Sequence, residues 1–162
     1  MQFPAPSLID RLTDNNSQSR TESAFASELS PRRMQAALRR DIMWLLTTIR
    51  LGEVEDLSAY AHIPKSVINF GVRDLSGVPE QNLDPLEIEA VLREAIWNFE
   101  PRLDRDTVRI DILPLDNSDM RGVMKLRISG RWNQDIYGEA VLIEARINFD
   151  TGGVELMDGM GA

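Results

Sequence analysis

The chain has 162 residues, 43% hydrophobic and 27% charged, with a formal net charge of −8, one histidine and no cysteine. Such a length and balance fit one soluble globular domain with a real core and a short appendage, not a disordered or fibrous chain. The negative charge repels phosphate and argues against nucleic acid as principal partner, and the missing cysteine rules out disulfides, a thiol nucleophile and a Cys-type zinc site.

Met1 to Pro6 lacks the positive charge and apolar run of a signal peptide, and no stretch reaches membrane-spanning length, so no membrane insertion is expected and the cytoplasm is the default compartment. Residues 1–14 carry Leu8, Ile9 and Leu12 at helical spacing. They read either as a frayed terminus or as a short helix that docks into a partner's groove. A polar linker is expected over 15–29.

The main α+β domain is expected over 30–157. Ser30 and Pro31 open a helix running to about Leu51, with Met34, Ala37, Leu38, Ile42, Leu45 and Ile49 on one face. Arg32, Arg33, Arg39, Arg40 and Arg50 decorate it against a single acid, Asp41. This basic strip is either a solvated face paired with the domain's own carboxylates or a docking patch for an acidic neighbour. Gly52 to Asp56 reads as a loop and Leu57 to Ile63 as irregular. Pro64 starts a short helix through Val67 and Ile68 that Asn69 and Gly71 end, with Gly71 as a left-handed cap. His62 has no second histidine to complete a metal set or triad and receives no role. Asp74 to Asn82 is a loop.

A second amphipathic helix follows from Asp84. Asp84 caps it, Pro85 falls where a missing N–H costs nothing, and Glu87 completes a capping box. Ile88, Val91, Leu92, Ala95, Ile96 and Phe99 form its apolar face. Pro101 forces a stop, delivering Glu100 and Arg102 side by side at the rim of the fold. Glu100 is the odd residue there, because an acid at the negative end of a helix dipole is disfavoured; Arg102 or a partner's cation must compensate it.

Alternation then replaces helical spacing. Val108, Ile110 and Ile112 share a face, as do Met124, Leu126, Ile128 and Gly130, and then Val141, Ile143, Ala145, Ile147 and Phe149. Asp150 to Gly153 is a turn signal from which Val154 to Leu156 returns as a fourth strand, and 158–162 is a flexible tail. Helices first and strands afterwards argue for an α+β fold, with helices packed on one face of a small, mainly antiparallel three- to four-stranded sheet.

No phosphate loop, dinucleotide fingerprint, nucleophile elbow or HExxH occurs in the sequence. Neither a cofactor nor a metal is therefore expected. Glycosidase chemistry needs only two carboxylates at the right separation, and Glu100 with Asp104 or Asp106 can be imagined as such a pair, but a general acid needs a raised pKa and a dry pocket, and this region is charged.

Several stretches resemble the TssE family of type VI secretion baseplate subunits, of the phage baseplate wedge class with its historical lysozyme-like label. Ser7 to Leu12 is similar to that family's SLLDRL, and Arg40, Asp41, Ile42 with Leu45 to Arg50 to its RDLxxLLNTR. Ser66 to Gly71 with Asp74 to Gly77 is similar to SVLNYGLPDLSG, and Phe99 to Leu103 reproduces FEPRL. Ile128 to Gly130 and Phe149 to Gly153 match a strand ending in Gly and a late TG turn. Val72 and Arg73 depart from the usual Leu and Pro, and Thr48 from Asn. The resemblance implies a non-enzymatic subunit whose Glu100, Pro101 and Arg102 contact other baseplate wedge subunits. It also implies a sheet edge that accepts strands from sheath subunits, and a place at the inner-membrane-associated baseplate. Leu8, Ile9 and Leu12 are the remaining candidate partner-binding residues. A peptidoglycan hydrolase and an adaptor of some other complex are the competing readings.

Overall fold

The structure is a computed structural model, and it describes residues 8–12, 31–77, 84–114, 122–133 and 140–157. The expected linker over 15–29 and tail over 158–162 lie outside the described residues. Helix α1 is Leu8–Leu12, α2 is Pro31–Thr47 and α3 is Pro85–Phe99; strands β1 (Arg109–Leu113), β2 (Val123–Arg131), β3 (Ala140–Asn148) and β4 (Val154–Met157) follow. The four strands pair in sequence order, each antiparallel to the next. The fold class is α+β, as the segregation of helices before strands implied.

Each element exists where its apolar period is strongest. Alternation on β2 and β3 puts Leu126, Ile128, Ile143 and Ala145 on one buried face. Helix α3 packs against β1 and α2 against β4, and the two helices also touch. Leu38, Ile42 and Leu45 from α2 and Leu92 and Ile96 from α3 cover that face, giving one contiguous core. Each such side chain contributes about 1.5–3 kcal/mol on burial. The sheet's other face carries a cross-strand ion pair, Arg127 to Glu144 at 2.7 Å, whose residues stand opposite each other in the ladder.

Helix boundaries differ from expectation for local reasons. Helix α2 ends at Thr47, not near Leu51. The Thr47 and Thr48 hydroxyls donate to the carbonyls of Met43 and Trp44 at 2.8 and 2.7 Å, satisfying last-turn acceptors without another turn. Asp84 caps α3 as expected, accepting from the Leu86 amide at 2.9 Å, whereas Glu87 reaches Arg73 at 2.6 Å instead of closing a capping box. The short helix expected from Pro64 is two 3₁₀ turns, Ile63–Lys65 and Val67–Asn69. Gly71 has a positive φ of 127°, but it is not a helix cap: a parallel bridge joins Ile49 to Val72, and a Cβ at Gly71 would lie 2.3 Å from the Thr48 carbonyl oxygen. Close backbone approach is what requires the glycine.

Candidate functional site

The corner after α3 is where three elements meet. Pro101 ends the helix, and Glu100 takes the C-cap position with its amide still bonded to Ile96 O at 2.8 Å. The next residues run beside the end of β2. Asp104 N donates to Arg131 O at 2.9 Å, Asn133 N donates to Arg102 O at 2.7 Å, and Leu103 bridges Trp132. The corner is thereby strapped to the sheet.

Glu100 does not stand at an exposed rim; it is only 4% exposed. Its burial is tolerated because Arg102 grips both carboxylate oxygens. The Arg102 Nε donates to Oε1 at 2.6 Å, Nη2 donates to Oε2, and the Arg102 backbone N–H adds a bond to Oε1 at 3.2 Å. The acid at the wrong end of the helix dipole is thus compensated from within the chain. Nη2 of Arg102 also donates to Asp41 Oδ2 on α2 at 2.7 Å, so one guanidinium clamps α2 to the end of α3. Burial alone would lower the Arg102 pKa, but its bonds to Glu100 and Asp41 outweigh that and leave it raised.

The clamp continues outward. Arg40 donates from Nε to Asp41 Oδ1 at 2.8 Å and from Nη1 to Asp10 Oδ1 at 2.6 Å, and its guanidinium lies 5.0 Å from the Trp44 ring centroid. The bond to Asp10 raises the Arg40 pKa, burial opposes it, and the bond to Asp41 adds to the rise, leaving the pKa raised. Asp10, Arg40, Asp41, Arg102 and Glu100 form a line of alternating charge from α1 to α3. It leaves Leu8 and Leu12, and less of Ile9, turned to water, with Met43 and Trp44 of α2 also exposed.

The structure therefore links the two groups of candidate residues, Leu8, Ile9 and Leu12 on one side and Glu100, Pro101 and Arg102 on the other. Pro101 is exposed, Arg102 is half-buried and Glu100 is buried. The intervening Asp10, Arg40, Asp41 and Trp44 were not among the expected site residues; Asp41, the one acid in an arginine-rich helix, was the signal available. Of the basic strip, Arg39 donates to Met157 O at 2.9 Å, Arg40 is held as described, and Arg50 pairs with Glu53 at 2.7 Å. Those three serve contacts inside the chain, as the solvated-face reading had it for the carboxylate pairs. His62 is exposed.

As chemistry, the corner is a poor acid–base site. Both oxygens of Glu100 are taken by Arg102, and Asp104 is used to cap the 3₁₀ turn at Arg105–Thr107 by accepting from Asp106 N. Among the described residues no group of three or more His, Asp or Glu side chains could hold a metal ion, and no helix is long and apolar enough to cross a membrane. What the arrangement does provide is a joint between α2, α3 and β2, with α1 tied to it by the Asp10–Arg40 ion pair, beside an apolar surface.

No curated protein and no solved structure matches the chain. A family model does match: that of the baseplate wedge protein gp25, over residues 32–135, from the start of α2 through the Glu100 to Arg102 corner and past the end of β2. With more than half of its length so matched, the chain belongs to the baseplate wedge protein gp25 family, a structural family of baseplates.

Proposed function

We propose that this protein is a non-enzymatic subunit of a type VI secretion baseplate, which binds the other wedge subunits and helps to start assembly of the contractile sheath on the cytoplasmic side of the inner membrane. The observation that carries the reading is α1: a helix held to the domain by Asp10 on Arg40, with Leu8 and Leu12 turned to water beside exposed Trp44. An apolar stripe held in place but left uncovered favours a protein partner. The Glu100, Pro101, Arg102 corner acts behind it, setting the angle between the helices that the partner meets.

The sheet's outer strands, β1 and β4, support the proposed contact with the sheath. An outer strand offers unpaired backbone groups to an extended arm. On β4, Met157 O already accepts from Arg39, which favours β1 as the receiving edge.

The test is co-expression with the other wedge subunits and isolation of the complex. Leu8→Ser with Leu12→Ser is expected to remove the protein from the complex while leaving its melting temperature unchanged. Undiminished co-elution of that variant would overturn the reading. Turnover of purified peptidoglycan that vanishes in Glu100→Gln would replace it with a hydrolase.

A further inference from the structure

Between α2 and α3 lies a second surface, built differently from the α1 stripe. Residues 49–72 form a closed loop whose ends are joined by the Ile49 to Val72 bridge, with Arg50 N donating to Val72 O at 2.9 Å and Val72 N to Thr48 O at 2.8 Å. Its interior is pinned by Asn69, which is buried. The Asn69 Oδ1 accepts from Gly52 N at 2.8 Å and its Nδ2 donates to Pro64 O at 2.9 Å, tying three separate turns together. Ser66 adds a cap, accepting from Ile68 N at 3.3 Å while donating to Ile63 O at 2.9 Å.

A loop so fixed has little freedom to turn its side chains inward, and it holds apolar ones out. Val67 is 82% exposed, Val54 77% and Ile68 61%, with Tyr60 and Ile49 also exposed. Single exposed apolar residues are ordinary, but several on one rigid loop mark a contact surface. The same loop carries Glu53, Glu55 and Asp56 around Val54, and the exposed Lys65 two residues before Val67. Glu53 is held by Arg50, whereas Asp56 accepts from the Ser58 amide and neither Asp56 nor Glu55 has an ion-pair partner among the described residues. The turn with Val54 touches the turn with Val67 and Ile68, and its two carboxylates without an ion pair outnumber Lys65, so the surface selects a partner whose apolar side chains are flanked by cations.

We infer that this loop is a docking surface for a segment of another baseplate protein, one bearing branched or aromatic side chains flanked by lysine or arginine. The inference rests on the baseplate reading and adds to it a contact separate in sequence from α1. To test it, a photo-crosslinking residue is placed at Val67 and, separately, at Ile68 of the full chain co-expressed with the other wedge subunits, and Val67→Ser with Ile68→Ser is made in parallel. The expected result is a crosslink to another wedge subunit at a peptide rich in Lys or Arg. The double variant should keep the wild-type melting temperature and bind that subunit about tenfold more weakly or worse, and Glu55→Lys with Asp56→Lys should also weaken binding. Wild-type assembly with no crosslink and no loss in the double variant overturns the inference while leaving the baseplate reading standing, and so does a crosslink only to a second copy of this chain. Failure of the wild-type chain to join the other wedge subunits overturns both.

Discussion

Arg102 shows how a motif residue can be structural before it is anything else. Truncating it to Ala leaves Asp41 with Arg40 but strips buried Glu100 of its cation, and breaking a buried pair from one side costs about 3–5 kcal/mol. Chemical denaturation of Arg102→Ala should therefore show a loss near the lower end of that range, since Arg102 keeps some contact with water. The Arg102 pKa is raised in the folded state, so its contribution persists below the ordinary arginine value and fades only as pH climbs through the raised one. Asp74 gives the opposite sign. The Ser76 hydroxyl and then its amide donate to the Asp74 carboxylate at 2.6 and 2.8 Å and hold its pKa below the usual carboxyl value. The turn's stabilisation is thus present above that usual value and lost as pH falls through the lowered one. NMR titration should find Asp74 depressed, and Ser76→Ala should move it back up. The strangeness of Glu100 at a helix end was legible in the sequence. Its connection to Asp41 was not, because nothing local marks which residue of α2 a distant guanidinium will meet.

At the level of elements, α2, α3, β2 and β3 were readable because burial on one side imposes a period of 3.6 or 2. The 3₁₀ turns between Ile63 and Asn69 leave no such trace, and their stability comes from Asn69, a residue that read only as a helix stop. Gly71 was identified as special for the wrong reason. Gly71→Ala must push a Cβ into the Thr48 carbonyl and hold a positive φ, so a destabilisation well above about 1 kcal/mol is expected, measurable by thermal unfolding. Helix α1 should behave oppositely. Its ion pair joins partly exposed groups and Leu8 and Leu12 are largely in water, so deleting residues 1–14 should barely change the melting temperature while weakening capture by wedge subunits in a pull-down. A large fall in melting temperature would make that segment part of the core instead.

For the whole molecule, the unbroken core predicts one cooperative transition. Leu92, fully buried in α3, faces the same cluster as Ile128 at the middle of β2. Leu92→Ala should cost about 2–5 kcal/mol through the cavity it leaves. Loss of helix by circular dichroism and loss of sheet-side packing by the fluorescence of buried Trp132, read in a chain carrying Trp44→Phe and Trp97→Phe, should then coincide. Divergent midpoints would show that the helical layer and the sheet come apart separately. The layered plan was open to sequence reading because the segregated order of elements leaves few ways to bury both helix faces; the assignment of α3 to β1 and α2 to β4 was not, since either helix is apolar enough for either strand.

The order of the strands has one more consequence. Since β1, β2, β3 and β4 lie side by side as they occur along the chain, every ladder closes between neighbours, and no strand waits for a distant mate before it pairs. As synthesis proceeds, each hairpin is ready to zip soon after it emerges, beneath two helices already made. A chain paired in this way is expected to complete its sheet by itself, with no strand lent by another molecule, and refolding of the isolated protein checks it.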